Sequence, residues 1–503
     1  MHSRRVRALA ALAALAIACE GAREDAPEPS EGPGDGLREE VDRRARAVVP
    51  RVIDWRRDLH QHPELSNREF RTAALVAEQL EALGLDVRTG VAHTGVVGVL
   101  QGGQAAAQRA GKAEGRAASQ QGRRPRSEAQ PSGDRKKSRA KIARTGERSS
   151  RRRVVALRAD MDALPVTEEL DLPFASKLRA QYQGREVGVM HACGHDAHTA
   201  ILLGTAEVLA GVRDRLPGTV VFLFQPAEER PPPGEDGGAK LMIEEGVLHD
   251  PTPEAIFALH AVPQHEVGTL AYRPGGVMAS SDRMRIRVTG RQTHAAYPWL
   301  GVDSIAVASR LVLALQAIPG REVDARIPAV VSIGQIHGGV RHNIIPQEVE
   351  LVGTIRALDP EQREEIHARV RRVAQGIADS AGASVHVEIE ADRGYPVTVN
   401  DAALGRRMRP TLERVAGADN VATPLPRTGS EDFGHFAQRI PGFYFWLGVR
   451  PRDVPAAEAA SNHSPRFFVD EGALGLGVRA MSALAVDYLA RAAAPPRGDS
   501  GDE

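Results

Sequence analysis

Two spacings of apolar residues divide the chain. Between Val154 and about residue 275, short apolar runs alternate with segments in which apolar positions recur every three or four residues. This predicts strands at 154–158, 219–225, 254–260 and 267–272, and helices at 196–211 and 237–245. The spacing implies an open α/β sheet with helices on both faces. Upstream, a helix is expected from near Val41 with an interruption at Pro50. Its second part, Arg51 to His60, carries Val52, Trp55 and Leu59 at helical spacing. A further helix over 67–83 ends at Gly84, a suitable C-cap, and strands follow at 85–88 and 95–100.

From about Ser281 the rhythm changes. Strands are predicted at 283–289, 329–336, 349–356 and 385–389, with helices at 305–317 and 361–380. Four strands and two helices of this size make a compact second domain of α+β type. The pattern of the first domain then resumes, with helices near 401–416 and 431–438, a strand at 442–447 and a helix at 470–489. The expected division is a first part of the main domain at 41–280, an inserted domain at 281–392, a second part of the main domain at 393–492, and a disordered tail at 493–503.

Composition is that of an ordinary globular protein, 42% hydrophobic and 26% charged, but the charge is uneven. From Gln101 to Arg153 there are 16 Lys and Arg against 4 Asp and Glu, a net +12, so the remainder sums to −12 in a chain of net zero. The stretch 103–152 has almost no large apolar residues and cannot build a core. It reads as a disordered basic insertion in a loop joining two neighbouring strands. A basic arm for anionic lipid, cell-wall polymer or nucleic acid is the functional alternative. The acidic remainder gives no reason to expect a nucleic-acid partner.

Residues 1–19 have the pattern of an export signal: Arg4, Arg5 and Arg7, then an apolar core from Ala8 to Ala18, too short to span a bilayer. The ending Ala16-Ile17-Ala18-Cys19 resembles a bacterial lipoprotein lipobox, with alanine where leucine is usual. Cys19 is then the lipidation site, residues 20–40 a flexible tether, and the cell envelope the expected location. With only Cys19 and Cys193 present, a disulfide-stapled scaffold is excluded.

The chemistry concentrates in Met190-His191-Ala192-Cys193-Gly194-His195-Asp196-Ala197-His198 and, some thirty residues on, Gln225-Pro226-Ala227-Glu228-Glu229. Thiolate, imidazole and carboxylate together suit a borderline-soft divalent ion such as zinc. Adjacent glutamates can supply one ligand and one general base, provided an irregular turn aims both inward. Taken alone, a Glu-Glu pair is more often a solvated turn, and a lone Cys a buried small hydrophobe. Their company changes both readings. His60 and His62 read as residues of an interfacial turn before Pro63, with metal ligation as the alternative.

Seven segments occur in fixed order: Arg158-Ala159-Asp160-Met161-Asp162-Ala163-Leu164-Pro165, the Cys/His run, Gln-Pro-Ala-Glu-Glu, Leu259-His260, Thr293-His294-Ala295-Ala296-Tyr297-Pro298, Gly429-Ser430-Glu431-Asp432-Phe433 and Asn462-His463-Ser464-Pro465-Arg466-Phe467. In these the chain resembles the M20 metallopeptidase family, and within it the amidohydrolase branch of hippurate hydrolases, N-acyl-amino-acid amidohydrolases and auxin-conjugate hydrolases. The resemblance runs from about Arg56 to Leu489, apart from the basic insertion.

It implies a two-metal hydrolase (Zn, Mn, Co or Ni) with a mixed-sheet catalytic domain and an inserted lid and dimerisation domain. Carried over by motif, Cys193, His195, Glu229, His260 and His463 are the ligands, with Cys193 a candidate bridge, and Glu228 is the catalytic base. Asp160 and Asp162 orient the ligands, and His198 faces the helix interior. His294 reaches over the metals from the lid, often from a neighbouring subunit, to stabilise the oxyanion. Gln292-Thr293 stands where the family often has two glycines. Asn343 and Arg356 are candidates for holding the substrate carboxylate, with a structural role as the alternative. The expected reaction is hydrolysis of an N-acyl amino acid or similar amide. The alternatives are a carboxypeptidase or dipeptidase acting on short peptides, and a non-catalytic surface-anchored binding protein.

Overall fold

The computed structural model describes residues 35–103 and 152–490. The export signal with Cys19, residues 20–34, residues 104–151 of the basic insertion and the tail at 493–503 lie outside the described residues. Eight strands form one mixed sheet in the order Asp86–Val91, Gly95–Gln101, Thr219–Gln225, Val154–Asp160, Ile256–Glu266, Gly442–Arg450, Leu270–Ala271 and Val421–Ala422. The four from Thr219–Gln225 to Gly442–Arg450 run parallel. They are buried along almost their whole length, as strands covered on both faces must be. One face carries the long helices Asp35–Ala47, Val49–Gln61, Phe70–Ala82, His195–Ala210, Ala402–Ala416 and Leu474–Ala490. The other carries the short Gly238–Glu244 and Gly434–Ala437. Among the described residues one segment, Glu471–Ala490, is long and apolar enough to cross a membrane; it is largely buried and serves as a core helix.

Several sequence expectations need correction. The first helix begins at Asp35, inside the stretch expected to be tether, because Leu37 and Val41 pack into the core. The interruption expected at Pro50 is present: helices Asp35–Ala47 and Val49–Gln61 part at Val48, and Pro50 sits in the first turn of the second, where its missing N–H leaves no intrahelical bond unmade. The strands flanking the basic insertion are not neighbours. Gln101 and Val154 both face Thr219, from opposite sides of the 219–225 strand. Two strand spacings, about 10 Å, therefore separate the insertion's ends, and Arg152 Nη1 donates to the Gly102 carbonyl at 2.7 Å. The strand expected at 267–272 reduces to Leu270–Ala271. The helix expected at 431–438 reduces to Gly434–Ala437, because the Glu431 and Asp432 side chains are committed to Arg158.

The second unit is a four-stranded antiparallel sheet ordered Ala329–Gly338, Glu348–Ala357, Asp282–Thr289 and Ser384–Ile389. Helices Ser304–Arg321 and Pro360–Ala381 cover one face around Leu311, Leu315, Ile366 and Val370. Both start at aspartate N-caps, Asp303 accepting from Ile305 N and Ala306 N, and Asp359 from Gln362 N.

A buried ion network braces the start of the His195–Ala210 helix. Asp196 Oδ2 lies 2.9 Å from Arg56 Nε and 2.9 Å from His60 Nδ1, and His60 Nε2 lies 3.1 Å from Glu168 Oε1. His60 is thus a core residue rather than part of an interfacial turn. His62, half-buried, does close the helix end, its Nδ1 2.9 Å from the Asp58 carbonyl. Burial opposes charge on His60, but Asp196 and Glu168 outweigh it and raise its pKa. A histidine whose folded pKa exceeds its unfolded value of about 6.5 contributes stability below that pH and loses it as pH rises through the folded value. Unfolding free energy should therefore fall with rising pH above about 6.5, and His60→Gln should flatten that fall. Urea titrations of both proteins across this range decide it: a difference between them that does not shrink as pH rises contradicts the network.

Candidate metal centre

The donors gather at the C-terminal ends of the parallel strands, the position where open α/β sheets leave room for a site. Cys193 and His195 flank Gly194, whose φ of 94° is left-handed. A Cβ there would approach Ala261 Cβ to 3.0 Å, so glycine suits both the turn and the space. His195 begins the helix and is fully buried. His260 comes from the Ile256–Glu266 strand. Its Nδ1 donates to the Ala261 carbonyl at 2.8 Å, which leaves Nε2 bare and 3.4 Å from Cys193 Sγ. His463 arrives from a C-terminal loop with φ 69°, uncommon for a non-glycine residue and often found at functional positions. Its Nε2 stands 2.9 Å from Glu229 Oε1.

The Pro226–Arg230 turn resolves how adjacent glutamates can both face inward. Ala227 (φ 52°) and Arg230 (φ 84°) are both left-handed, bending the chain on each side of the pair. Asp162 holds the bend: it accepts Glu228 N at 3.1 Å and Glu229 N at 3.0 Å, together with Ser66 Oγ at 2.7 Å and His195 Nδ1 at 3.2 Å. Buried Glu69 accepts Ala227 N at 2.9 Å. Asp160 acts through His198, whose Nδ1 it binds at 2.6 Å, while His198 Nε2 accepts Ala261 N at 2.7 Å. With both ring nitrogens engaged, His198 is a brace rather than a ligand. His191 has neither nitrogen bonded, and burial lowers its pKa to about 4, so it is neutral at pH 7.

Two donor groups overlap: Cys193, His195 and His260 in one, Cys193, Glu229 and His463 in the other, each with its donor atoms within 4.8 Å of one another. Glu228 joins His195 and Glu229 in a third. Cys193 belongs to the first two, as a bridge between two ions must. The electrostatics fit a pair of cations. Burial and Glu229 and Glu228 push the Cys193 thiol up; burial and the surrounding Glu431, Glu229, Asp432 and Asp160 push Glu228 up. His195 is raised to about 10, burial being outweighed by Asp160 and Asp162. The polypeptide alone keeps protons on groups that coordinate when deprotonated, so the cluster is short of positive charge. His195 Nε2 is also buried without a hydrogen-bond partner. The residues form a dinuclear metal-binding site.

Beneath Glu228, Arg158 is fully buried and binds Asp160 (2.6 Å), Glu431 (3.0 Å), Asp432 (3.0 Å) and Gln225 (2.9 Å). Tyr444 Oη donates to Glu431 at 2.9 Å, and Tyr395 Oη donates to the Glu228 carbonyl. A cavity of about 460 Å³ opens on the donors and is also lined by Arg230, Arg356, Arg427, Tyr395 and Asn462. Of the two candidate substrate residues, Arg356 lines the cavity and Asn343 does not. His294 is exposed and also lies outside it, paired with Ile344 on a two-residue ladder next to Asn343.

Sequence reasoning gave no role to Asn462, whose Nδ2 binds the Cys193 and Ala261 carbonyls at 3.3 and 3.2 Å. Its place in Asn-His-Ser-Pro was the available signal. Arg230, Arg427 and Tyr395 fall between motifs and left none.

Comparison with known proteins agrees with this geometry. Residues 156–487 match the model of peptidase family M20/M25/M40. Thermostable carboxypeptidase 1 of Saccharolobus solfataricus is 36% identical over 453 residues, 90% of this chain and 99% of that protein. An N-acetylcysteine deacetylase of Bacillus subtilis is 34% identical over 445 residues, 88% and 98% of the two chains. A Bacillus subtilis crystal structure, described as a dinuclear metal-binding peptidase of the M20 family, superposes with a TM-score of 0.65 at 31% identity, covering 88% of this chain and 99% of that one. With its donor cluster and mixed-sheet core, the chain belongs to the M20/M25/M40 peptidase family, on the amidohydrolase-type branch, and is a metal-dependent hydrolase of amide bonds.

Proposed function

We propose that the protein hydrolyses amides of the form acyl–NH–CHR–COO⁻, releasing a carboxylate and a free amino acid, with N-acyl amino acids as the main substrates. The observation that carries this reading is Glu228, buried beside two overlapping donor sets at the floor of a cavity whose wall includes Arg356. In this reading Cys193, His195, Glu229, His260 and His463 hold two divalent ions. Such ions supply a water acidified to near neutrality and a Lewis acid for the amide carbonyl. Glu228 accepts a proton from the attacking water and passes it to the departing amine nitrogen. Asp162 fixes its backbone, and Arg356 binds the carboxylate beside the scissile bond.

Short peptides share this amine-side pattern and differ only in the acyl group. Similarity to a carboxypeptidase keeps peptide cleavage as the second reading. Hippurate and N-acetyl amino acids assayed against a dipeptide panel, with Zn²⁺, Mn²⁺ and Co²⁺, separate the two. Preference for dipeptides favours the second. The sequence of residues 1–19 supports action at the cell envelope, on a lipid anchor at Cys19.

His294 and Asn343 stand outside the cavity beside the exposed Tyr297, Trp299 and Leu300. This supports a homodimer in which one lid lends His294 to the other copy's cavity, since an isologous interface makes the loan mutual.

Two outcomes are expected. Glu228→Gln should lower kcat by about 100-fold or more while metal content, read by elemental analysis, stays at the wild-type level; activity within tenfold of wild type removes Glu228 as the base. Glu228→Gln and His294→Ala, each inactive alone, should regain roughly a quarter of wild-type activity when co-expressed, the share of sites pairing an intact cavity with an intact lid under C2 symmetry. No recovery in a mixed dimer would mean that His294 serves its own chain or no site.

A further inference from the structure

Buried and half-buried arginines in this protein usually meet a carboxylate: Arg56 meets Asp196, Arg158 meets Asp160 and Glu431, and Arg363 meets Asp282. The cavity breaks that habit. Half-buried Arg356 and Arg427 line it together with the more exposed Arg230, and among the described residues none of the three forms a salt bridge. Each is steadied by neutral groups instead. Arg230 Nη2 donates to Ser281 Oγ at 2.8 Å and its guanidinium lies 5.0 Å from the centre of the Tyr395 ring. Arg356 Nη1 donates to Ser430 Oγ at 3.0 Å. Arg427 Nη2 donates to Gln264 Oε1 at 2.9 Å and lies 5.2 Å from the centre of the Trp446 ring. A guanidinium held by neutral partners keeps its planar fork free for an incoming anion.

The three fall into two places. Arg230 and Arg356 are close enough that, after burial, Arg230 is the main influence lowering the Arg356 pKa, with Asp282 partly offsetting it. Two cations that repel one another mark a natural seat for a carboxylate. Arg427 belongs elsewhere, against residues of the Ile256–Glu266 and Gly442–Arg450 strands. Burial lowers its pKa as well, with Tyr444 and Cys193 partly offsetting it. An uncompensated charge is costly in a confined wall unless a ligand completes it.

We infer that the cavity takes dianionic amides: Arg230 and Arg356 share the carboxylate beside the scissile bond, and Arg427 receives a second carboxylate carried by the same substrate. This rests on the amidohydrolase reading for the position of the first carboxylate. The second can come from the side chain of an acidic amino acid or from the far end of a dicarboxylic acyl group. The chemistry Arg427 meets is the same in either case.

The test pairs substrates of near-equal shape that differ by one charge: N-acetylglutamate with N-acetylglutamine for the amine side, and N-succinyl-leucine with its terminal amide for the acyl side. Metal-loaded protein should show kcat/KM at least about tenfold higher for the acid in one pair, the scale of one well-made charged contact. The pair that responds identifies the source. Arg427→Gln should bring that ratio towards one, and Arg427→Lys should retain part of it. Calorimetry gives a readout without turnover: glutarate should bind about tenfold more tightly than butyrate, and Arg427→Gln should erase the difference. Equal ratios in both pairs with equal binding of the two acids, or a preference that survives Arg427→Gln, overturns the inference. If all four amides remain intact, the amidohydrolase reading falls, and the calorimetry still decides whether the wall selects two carboxylates.

Discussion

One carboxylate holds the centre together. Asp162 is fully buried and receives Ser66 Oγ, His195 Nδ1 and the backbone N–H groups of Glu228 and Glu229. Burial alone would raise its pKa, yet His195, Ser66 and the Glu229 N–H hold it below the usual carboxylate range. Hydrogen bonds to a charged group contribute roughly 1.5–3 kcal/mol each, so four of them offset a desolvation cost of several kcal/mol. The same contacts fix geometry. They tie the Glu-Glu turn to the His195 helix, so the proposed base and two of the proposed ligands move as one body.

Around that anchor the protein accumulates negative charge and answers it unequally. Arg158 lies beneath the site and compensates Asp160, Glu431 and Asp432 from below. Among the described residues no arginine pairs with Glu228, Glu229 or Cys193 from above, and there the proton affinities of Cys193 and Glu228 climb. A fold that spends a buried arginine on one layer of acids and leaves the next layer short of charge has divided the work between its own cation and a pair bound from solution. Tyr444 and Tyr395 extend the lower layer into the sheet and out to the segment leaving the lid.

Much of this was legible in the sequence because the catalytic core is built from local patterns. The Thr219–Gln225 strand and the His195–Ala210 helix match their expected bounds almost to the residue, since apolar runs and helical spacing carry element identity directly. Cys193, His195, Glu229, His260 and His463 lie in two overlapping donor groups. The failures come from non-local causes. Nothing near Gln101 or Val154 says that residue 219 comes to lie between their strands. Glu431 and Asp432 look like the start of a helix until Arg158, some 270 positions earlier, claims their side chains. His60 reads as a turn residue until Asp196 and Glu168 close on it. His294, expected to reach the metals often from a neighbouring subunit, lies outside its own copy's cavity.

The same distinction explains why family membership sets the chemistry and leaves the substrate open. Motif residues touch one another or the backbone of neighbouring motifs, so each is constrained by several partners at once. Arg230 and Arg427 touch Ser281, Gln264 and aromatic faces, contacts that many side chains could replace without disturbing a ligand. Selectivity resides in such positions because changing them leaves the Asp162 anchor and the Arg158 layer intact. A left-handed backbone at Arg230, one residue beyond Glu229, is then informative. A bend strained enough to turn both glutamates inward also turns the next side chain into the cavity, so the geometry required for catalysis itself supplies a position for reading the substrate.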